Sequence, residues 1–261
     1  MHTVLLSILF AAVLFGGVLV SMHIGWRIGR KRLLALGEDG QAGLGAIDGA
    51  VFGLMGLLIA FTFTGAATRF DMRRSLVTEH VNATGTAWLR LDLLAEPERE
   101  KARDGFRRYV DTQLEIVGNS GNSGNKDDVL AGMARLSSIQ QEIWEILIQA
   151  AKNDKTLPLS QTVLPPANEM FDLSNTRFMA ARQHPPVEVF LMLGLLMLVS
   201  GLMAGYGMAK AERQSTLHLL SFAAIMALSV YLILDIEYPR LGIIRIDTFD
   251  QAMIALRASM N

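Results

Sequence analysis

Four long stretches without an acidic or basic side chain other than histidine constrain this chain more than any other feature. They are Met1–Trp26, Gly49–Thr68, Val189–Ala209 and Gln214–Leu234. A helix rises about 1.5 Å per residue, so ~20 apolar residues cross the ~30 Å hydrocarbon core of a bilayer. The runs therefore predict an all-α protein with four transmembrane helices. Charged residues make up only 19% of the chain, and they crowd into the segments between and after the runs. With a net charge of −1 there is no global field to attract nucleic acid. The absence of cysteine excludes disulfides, thiolate metal sites and cysteine nucleophiles.

The first run reads as a retained anchor rather than a signal peptide. Only His2 precedes it, and the basic cluster Arg27, Arg30, Lys31 and Arg32 follows it, the reverse of the order a signal peptide needs. The loop Arg27–Ile47 sets those four cations against Glu38 and Asp39, and the loop Ala209–Gln214 sets Lys210 and Arg213 against Glu212. The positive-inside rule puts both short loops in the cytoplasm. The N-terminus, the long segment between the second and third spans, and the C-terminus are then expected outside, in a bacterial inner membrane.

That long segment, from Arg69 to Pro186, reads as helical throughout. Phe70, Val77, Val81, Trp88, Leu91 and Ala95 form one apolar stripe that continues the second span without a breaker. The spacing predicts one long helix leaving the membrane and ending near Ala95. Ala102, Phe106, Tyr109, Val110, Leu114 and Val117 mark the next helix, with Pro97 at its start. Val129, Met133, Leu136, Ile139, Ile143, Ile146, Leu147 and Ala150 mark a third. A fourth runs from about Pro166 to Gln183, where His184-Pro185-Pro186 stops it. Gly118–Asn125 is small and polar, which predicts a mobile loop tip. A phosphate loop would need a preceding strand and a following Lys-Ser/Thr, and has neither. In the tail, Pro239 ends the fourth span, and Asp247 can cap a short helix with Asp250 near its positive end. The seam Ile246, Phe249, Met253 and Leu256 is expected to meet a partner surface or the membrane interface. The expected divisions are 1–68 (first span pair), 69–186 (helical extramembrane insertion), 187–235 (second span pair) and 236–261 (tail).

The second span carries the strongest pattern within the membrane. At about 100° per residue, Gly49, Gly53, Gly56, Ala60, Thr64 and Ala67 fall within ~60° of one line. Small residues at this spacing let helix backbones approach closely in lipid. Two readings stay open. One is packing against the third span, which contains Gly201 and Gly205 in a GxxxG. The other is a pore ringed by copies of the second span, with Phe52, Ile59 and Phe63 as a hydrophobic constriction that gates by dewetting. Arg69, Asp71, Arg73 and Arg74 form a charged collar at the end of this span. It serves either as an interfacial anchor or as a basic mouth that concentrates anions. Asp48, Glu188, Asp235, Glu237, His23 and His218 lie near span ends, where Asp235 or Glu237 could pair with Arg240. The five histidines form no HExxH and have no cysteine partner, so neither an enzyme nor a cofactor is expected.

Several segments resemble a known family: Ala46–Arg74 (AIDGAVFGLMGLLIAFTFTGAATRFDMRR), Glu79–Leu94 (EHVNATGTAWLRLDLL), Asn168–Pro186 (NEMFDLSNTRFMAARQHPP) and Tyr231–Asp250 (YLILDIEYPRLGIIRIDTFD). Together they are similar to the bacterial bestrophin-like domain family. The resemblance implies a four-helix membrane unit with a helical insertion, and a distant likeness to bestrophins, pentameric anion channels whose pore is lined by the second span. Bestrophins keep their helical region in the cytosol, and no acidic calcium clasp is recognisable here. The functional expectation is a homo-oligomeric bestrophin-like pore for small ions, anions first. The alternative is a non-conducting membrane scaffold or sensor whose helical insertion binds a partner.

Overall fold

The computed structural model describes residues 2–36, 44–122, 126–153, 158–210, 215–238, 244 and 247–260. Among these residues there are helices and no strands. The order is α1 (His2–Leu36), α2 (Leu44–Arg90), α3 (Glu98–Asn122), α4 (Lys126–Asn153), α5 (Leu159–Thr162), α6 (Leu164–Arg182), α7 (Val187–Gly207), α8 (Thr216–Glu237) and α9 (Asp247–Ser259). Short 3-10 turns follow α2 at Leu91–Leu93 and α7 at Met208–Lys210. Glu38, Asp39, Glu212, Arg213, the run 123–125, Pro239, Arg240, Arg245 and Ile246 lie outside the described residues, as do the side chains of Asp247, Phe249 and Asp250.

Two compact units emerge, 1–68 with 184–243 and 69–183 with 244–261, and the division falls inside α2. In the first unit, α1, α2, α7 and α8 are long and apolar enough to cross a membrane. α1 packs along α7 and α8. Leu14, Val18, Met22, Met55, Ala66, Leu193, Met197, Ala223, Val230 and Ile233 form the buried centre. Most of the apolar surface nevertheless points outward: Val13, Phe61, Leu191, Leu195 and Ile225 are each at least 60% exposed. Apolar exposure on this scale suits acyl chains rather than water. Two hydroxyls on these helices bond their own backbone: Thr62 Oγ1 to the Leu58 carbonyl (2.6 Å) and Ser229 Oγ to that of Ile225 (2.8 Å). Such a bond satisfies a donor that lipid cannot.

The second unit is a helical bundle. Ala102, Phe106, Tyr109 and Val110 of α3, Leu136, Ile143 and Leu147 of α4, and Ala167 and Met170 of α6 share one core with Trp88 and Leu91. Close packing shapes the sequence here: a side chain at Gly105 would meet Ile143 Cγ1 at 2.8 Å, and one at Gly132 would meet Ile116 Cγ1 at 2.7 Å. Pro165 and Pro166 begin α6, where their missing N–H groups lack intrahelical partners anyway.

Three sequence expectations change. α1 does not end at Trp26 but continues to Leu36, because Arg, Lys and Leu are strong helix formers. α3 extends through Asn122, so the Gly-Asn-Ser run is helical as far as it is described. The tail helix finds its surface within the chain. Arg257 grips Asp111 of α3 with Nε (2.7 Å) and Nη2 (3.0 Å), Arg107 Nε donates to the Met260 carbonyl (3.0 Å), and Met253 and Met260 enter the bundle core.

Candidate conduit and the groups around it

The α2 portion of the membrane unit has one inward side and one open side. Met55, Thr62 and Ala66 are buried. Phe52 and Ile59 are half-buried against the same cluster, and the Phe52 ring meets Phe222 of α8 edge-on at 6.2 Å. The small-residue line lies on the open side. Gly49, Gly53, Gly56 and Ala60 are exposed. Among the described residues, no neighbouring atom comes within 4 Å of a side chain built at Gly49, Gly53 or Gly56. Phe63, 43% exposed, stands beside this line. In the single chain, none of the described residues of α7 covers Gly49, Gly53 or Gly56.

The third span's glycines pack elsewhere. A side chain at Gly205 would collide with the Met22 carbonyl of α1, and one at Gly201 would lie 3.2 Å from the Val18 carbonyl. The contact is mutual: Gly25 of α1 has the Leu202 carbonyl in the place of a side chain, and Gly29 would meet the Tyr206 carbonyl at 2.8 Å. Small residues on both helices thus bring the two backbones into contact, the packing mode that substitutes for a hydrophobic drive in lipid. Gly194, about two turns before Gly201 and three before Gly205 on α7, has open space around it.

In the helical unit the collar residues part ways. Arg73 is buried, turned to the end of α6, where Nε donates to the Ala180 carbonyl (3.2 Å) and Nη2 to the Gln183 carbonyl (2.7 Å). A cation suits these carbonyls because a helix C-terminus is the negative end of its dipole. Arg73 therefore does not belong to a solvent-facing mouth. Arg73→Met is expected to remove about 2–3 kcal/mol from the helical unit, the worth of charge-assisted bonds to buried carbonyls, read as a lower denaturation midpoint. Arg69 is half-buried. Arg74 pairs with Asp71 (3.2 Å) and lies 5.7 Å over the Phe70 ring. With Asp71, Ser75, Thr78 and Glu79 it lines an open recess of about 390 Å³. Two carboxylates and one guanidinium give this recess a mixed charge.

Two polar clusters join residues far apart along the chain, and only Asp235 and Glu237 among them stood out in the sequence. In the membrane unit, Glu237 is fully buried and pairs with His184 Nδ1 at 2.9 Å, while Tyr238 stacks on His184 at 4.6 Å. Asp235 is also buried and accepts from the Tyr231 hydroxyl at 3.5 Å. Both acids are turned into the protein rather than toward an interface. In the helical unit, His80 is fully buried between Arg177 and Tyr109. Arginine carries only donors, so Nδ1 of His80 must accept from Arg177 Nη1 (2.7 Å) and Nε2–H donates to Tyr109 Oη (2.7 Å). Gln113 Nε2 donates to Ser174 Oγ at 2.6 Å and to Tyr109 Oη at 3.3 Å. Burial first, then the Arg177 charge, lowers the His80 pKa to about 3, and burial pushes that of Tyr109 up to about 12. Among the described residues, no group of three His, Asp or Glu side chains is placed to hold a metal.

Comparison with known proteins follows this architecture closely. A crystallised point mutant of a bacterial bestrophin homologue from Klebsiella pneumoniae shares the fold with a TM-score of 0.63, over 93% of this chain and 97% of that one, at 12% identity. No curated protein sequence matches. The model of the Bestrophin-like domain matches residues 41–249, which include α2 to α8 and only the start of α9. The chain is a multi-pass membrane protein and belongs to the Bestrophin-like domain family.

Proposed function

We propose that this protein assembles as a ring of identical subunits around α2 and conducts small ions passively, anions being the first candidates. One observation carries the reading: the small-residue line Gly49, Gly53, Gly56 and Ala60 is uncovered in the single chain. A glycine-lined edge loses little by facing water or a neighbouring backbone, and gains little from lipid. Around an axis, the same edge on each subunit would leave a path, which rotational symmetry closes. Phe63, at the border of this line and 43% exposed, is the best placed of the three constriction residues, whereas Phe52 and Ile59 are half-buried against the chain's own core. Arg69 and Arg74 remain the mouth; Arg73 drops out. The bacterial bestrophin homologue with the same fold supports the reading by analogy. The helical unit is the extramembrane insertion, and the cation balance of the short loops favours both termini and this insertion outside the cytoplasm of an inner-membrane protein.

Planar-bilayer recording of the purified protein tests conduction, and reversal potentials in asymmetric salt assign the ion. Leucine at Gly53 and Gly56 is expected to leave each chain folded, since open space surrounds both positions. It should weaken subunit association by about 1–3 kcal/mol per substitution, roughly five- to a hundred-and-fiftyfold, seen as dissociated particles and lost conductance. A wild-type protein that is monomeric in lipid and silent at every voltage would remove the proposal.

A further inference from the structure

We propose that the basic end of α1 is a docking surface for the phosphate headgroups of anionic phospholipids. Arg27, Arg30, Lys31 and Arg32 follow Trp26 within two turns, and α1 contains no acidic residue. The acids nearest in sequence, Glu38 and Asp39, come after the helix ends. Because α1 stays helical to Leu36, these cations project from a rod rather than a loop. The rod is also pinned: a side chain at Gly29 would meet Ala209 Cβ at 2.7 Å and the Tyr206 carbonyl at 2.8 Å. That contact seats the turn Met208–Lys210 against the basic end of α1.

The apolar residues of this segment point to lipid rather than to a soluble anion. Ile28 is 48% exposed and Leu34 81% exposed, interleaved with the cations. Arg27, Lys31 and Leu34 follow one another at i, i+4 and i+7, so a single helix face carries two charges and an uncovered leucine. Water disfavours the leucine and a protein core disfavours the charges. The boundary between headgroups and acyl chains accommodates both, with long basic side chains reaching the phosphates. Trp26 suits the same depth, and the Arg30 guanidinium lies 5.3 Å from its ring centroid. Arginine forks match phosphate oxygens two at a time. This surface does not depend on whether the protein conducts.

The test uses the full-length protein in nanodiscs of mixed phosphatidylglycerol and phosphatidylcholine, with retained lipid counted by native mass spectrometry. Phosphatidylglycerol should be retained in preference to phosphatidylcholine. Arg30→Gln combined with Lys31→Gln should cut that preference about tenfold or more, since each cation near an anionic surface contributes about fivefold. Arg30→Lys with Lys31→Arg should preserve it. On the wild-type protein, raising salt from about 0.1 M to about 1 M shortens the screening length from ~10 Å to ~3 Å and should lower the preference severalfold. A preference that survives both the double glutamine variant and high salt overturns the proposal. Displacement of the lipid by millimolar inorganic phosphate overturns the lipid assignment in favour of a soluble anion.

Discussion

Gly205→Leu is expected to disassemble the membrane unit. The space a side chain would need at Gly205 is occupied by the Met22 carbonyl of α1, and at Gly25 by the Leu202 carbonyl of α7. These obstacles are backbone, and helical carbonyls cannot swing aside as a flexible side chain can. Adding methylenes to a core that can repack costs about 1–3 kcal/mol. Here the two helices must separate instead, which strips the packing of Val18, Met22 and Met197, so a loss of at least ~3 kcal/mol follows for leucine and about 1–3 kcal/mol for alanine. Denaturation of the detergent-solubilised protein measures this. Gly194→Ala supplies the control: it lies on the same helix with nothing within 4 Å, and should be silent. Equal midpoints for Gly205→Leu and Gly194→Ala would show that the α1–α7 contact does not hold the unit together.

The second large effect is acid sensitivity of the helical unit, centred on His80. The apolar part of α2 ends near Thr68, so His80 lies three turns beyond the span. In the folded protein it stays neutral down to about pH 3, whereas an unfolded histidine titrates near 6.5. Between these values the unfolded chain binds a proton that the folded chain does not. Stability is therefore complete above about pH 6.5 and falls by about 1.4 kcal/mol for each unit of acidification below it. From pH 7 to pH 4 this single residue should remove roughly 3 kcal/mol, before the carboxylates contribute. Chemical denaturation followed by Trp88 fluorescence reads the loss, since Trp88 lies in the bundle core. His80→Gln should lower stability at neutral pH and flatten the slope below pH 6.5. Parallel profiles for wild type and variant would mean that His80 is protonated without penalty.

Much of the fold is legible in the sequence, for reasons particular to each element. The spans are visible because their length must match a bilayer. The continuation of α2 beyond the span is visible because Val77, Val81 and Trp88 keep a helical period with no breaker before Pro97, although the α-helix stops at Arg90 and a 3-10 turn carries the chain only to Leu93. The apolar faces of α3 and α4 follow from the same period and enter one core. The candidate site is legible only in part. The small edge of α2 can be read from spacing, but its emptiness cannot, because spacing says which residues share a face and nothing about what lies across from it. Arg73 and Arg74 are neighbours in the collar, yet one caps α6 and the other lines a recess. Helical advance alone separates them by ~100°. The His80–Arg177 and His184–Glu237 pairs join residues far apart along the chain, and no local pattern marks them.

From the residues alone it follows that this chain is helical, that it crosses a membrane, and which stripes along its helices are apolar, small or charged. These are local properties, set by side-chain chemistry and the helical repeat. Which stripe meets which emerges only from the packed helices. Through the membrane run of α1 up to Trp26, and along α7 after Glu188, the helices are apolar all round, so periodicity could not reveal that Gly25, Gly201 and Gly205 form a shared backbone contact. Nor could it reveal that Gly49, Gly53 and Gly56 are left open. Lipid solvates every apolar face about equally, so the choice of partner rests on shape between distant helices, which appears only once the backbones are placed against each other.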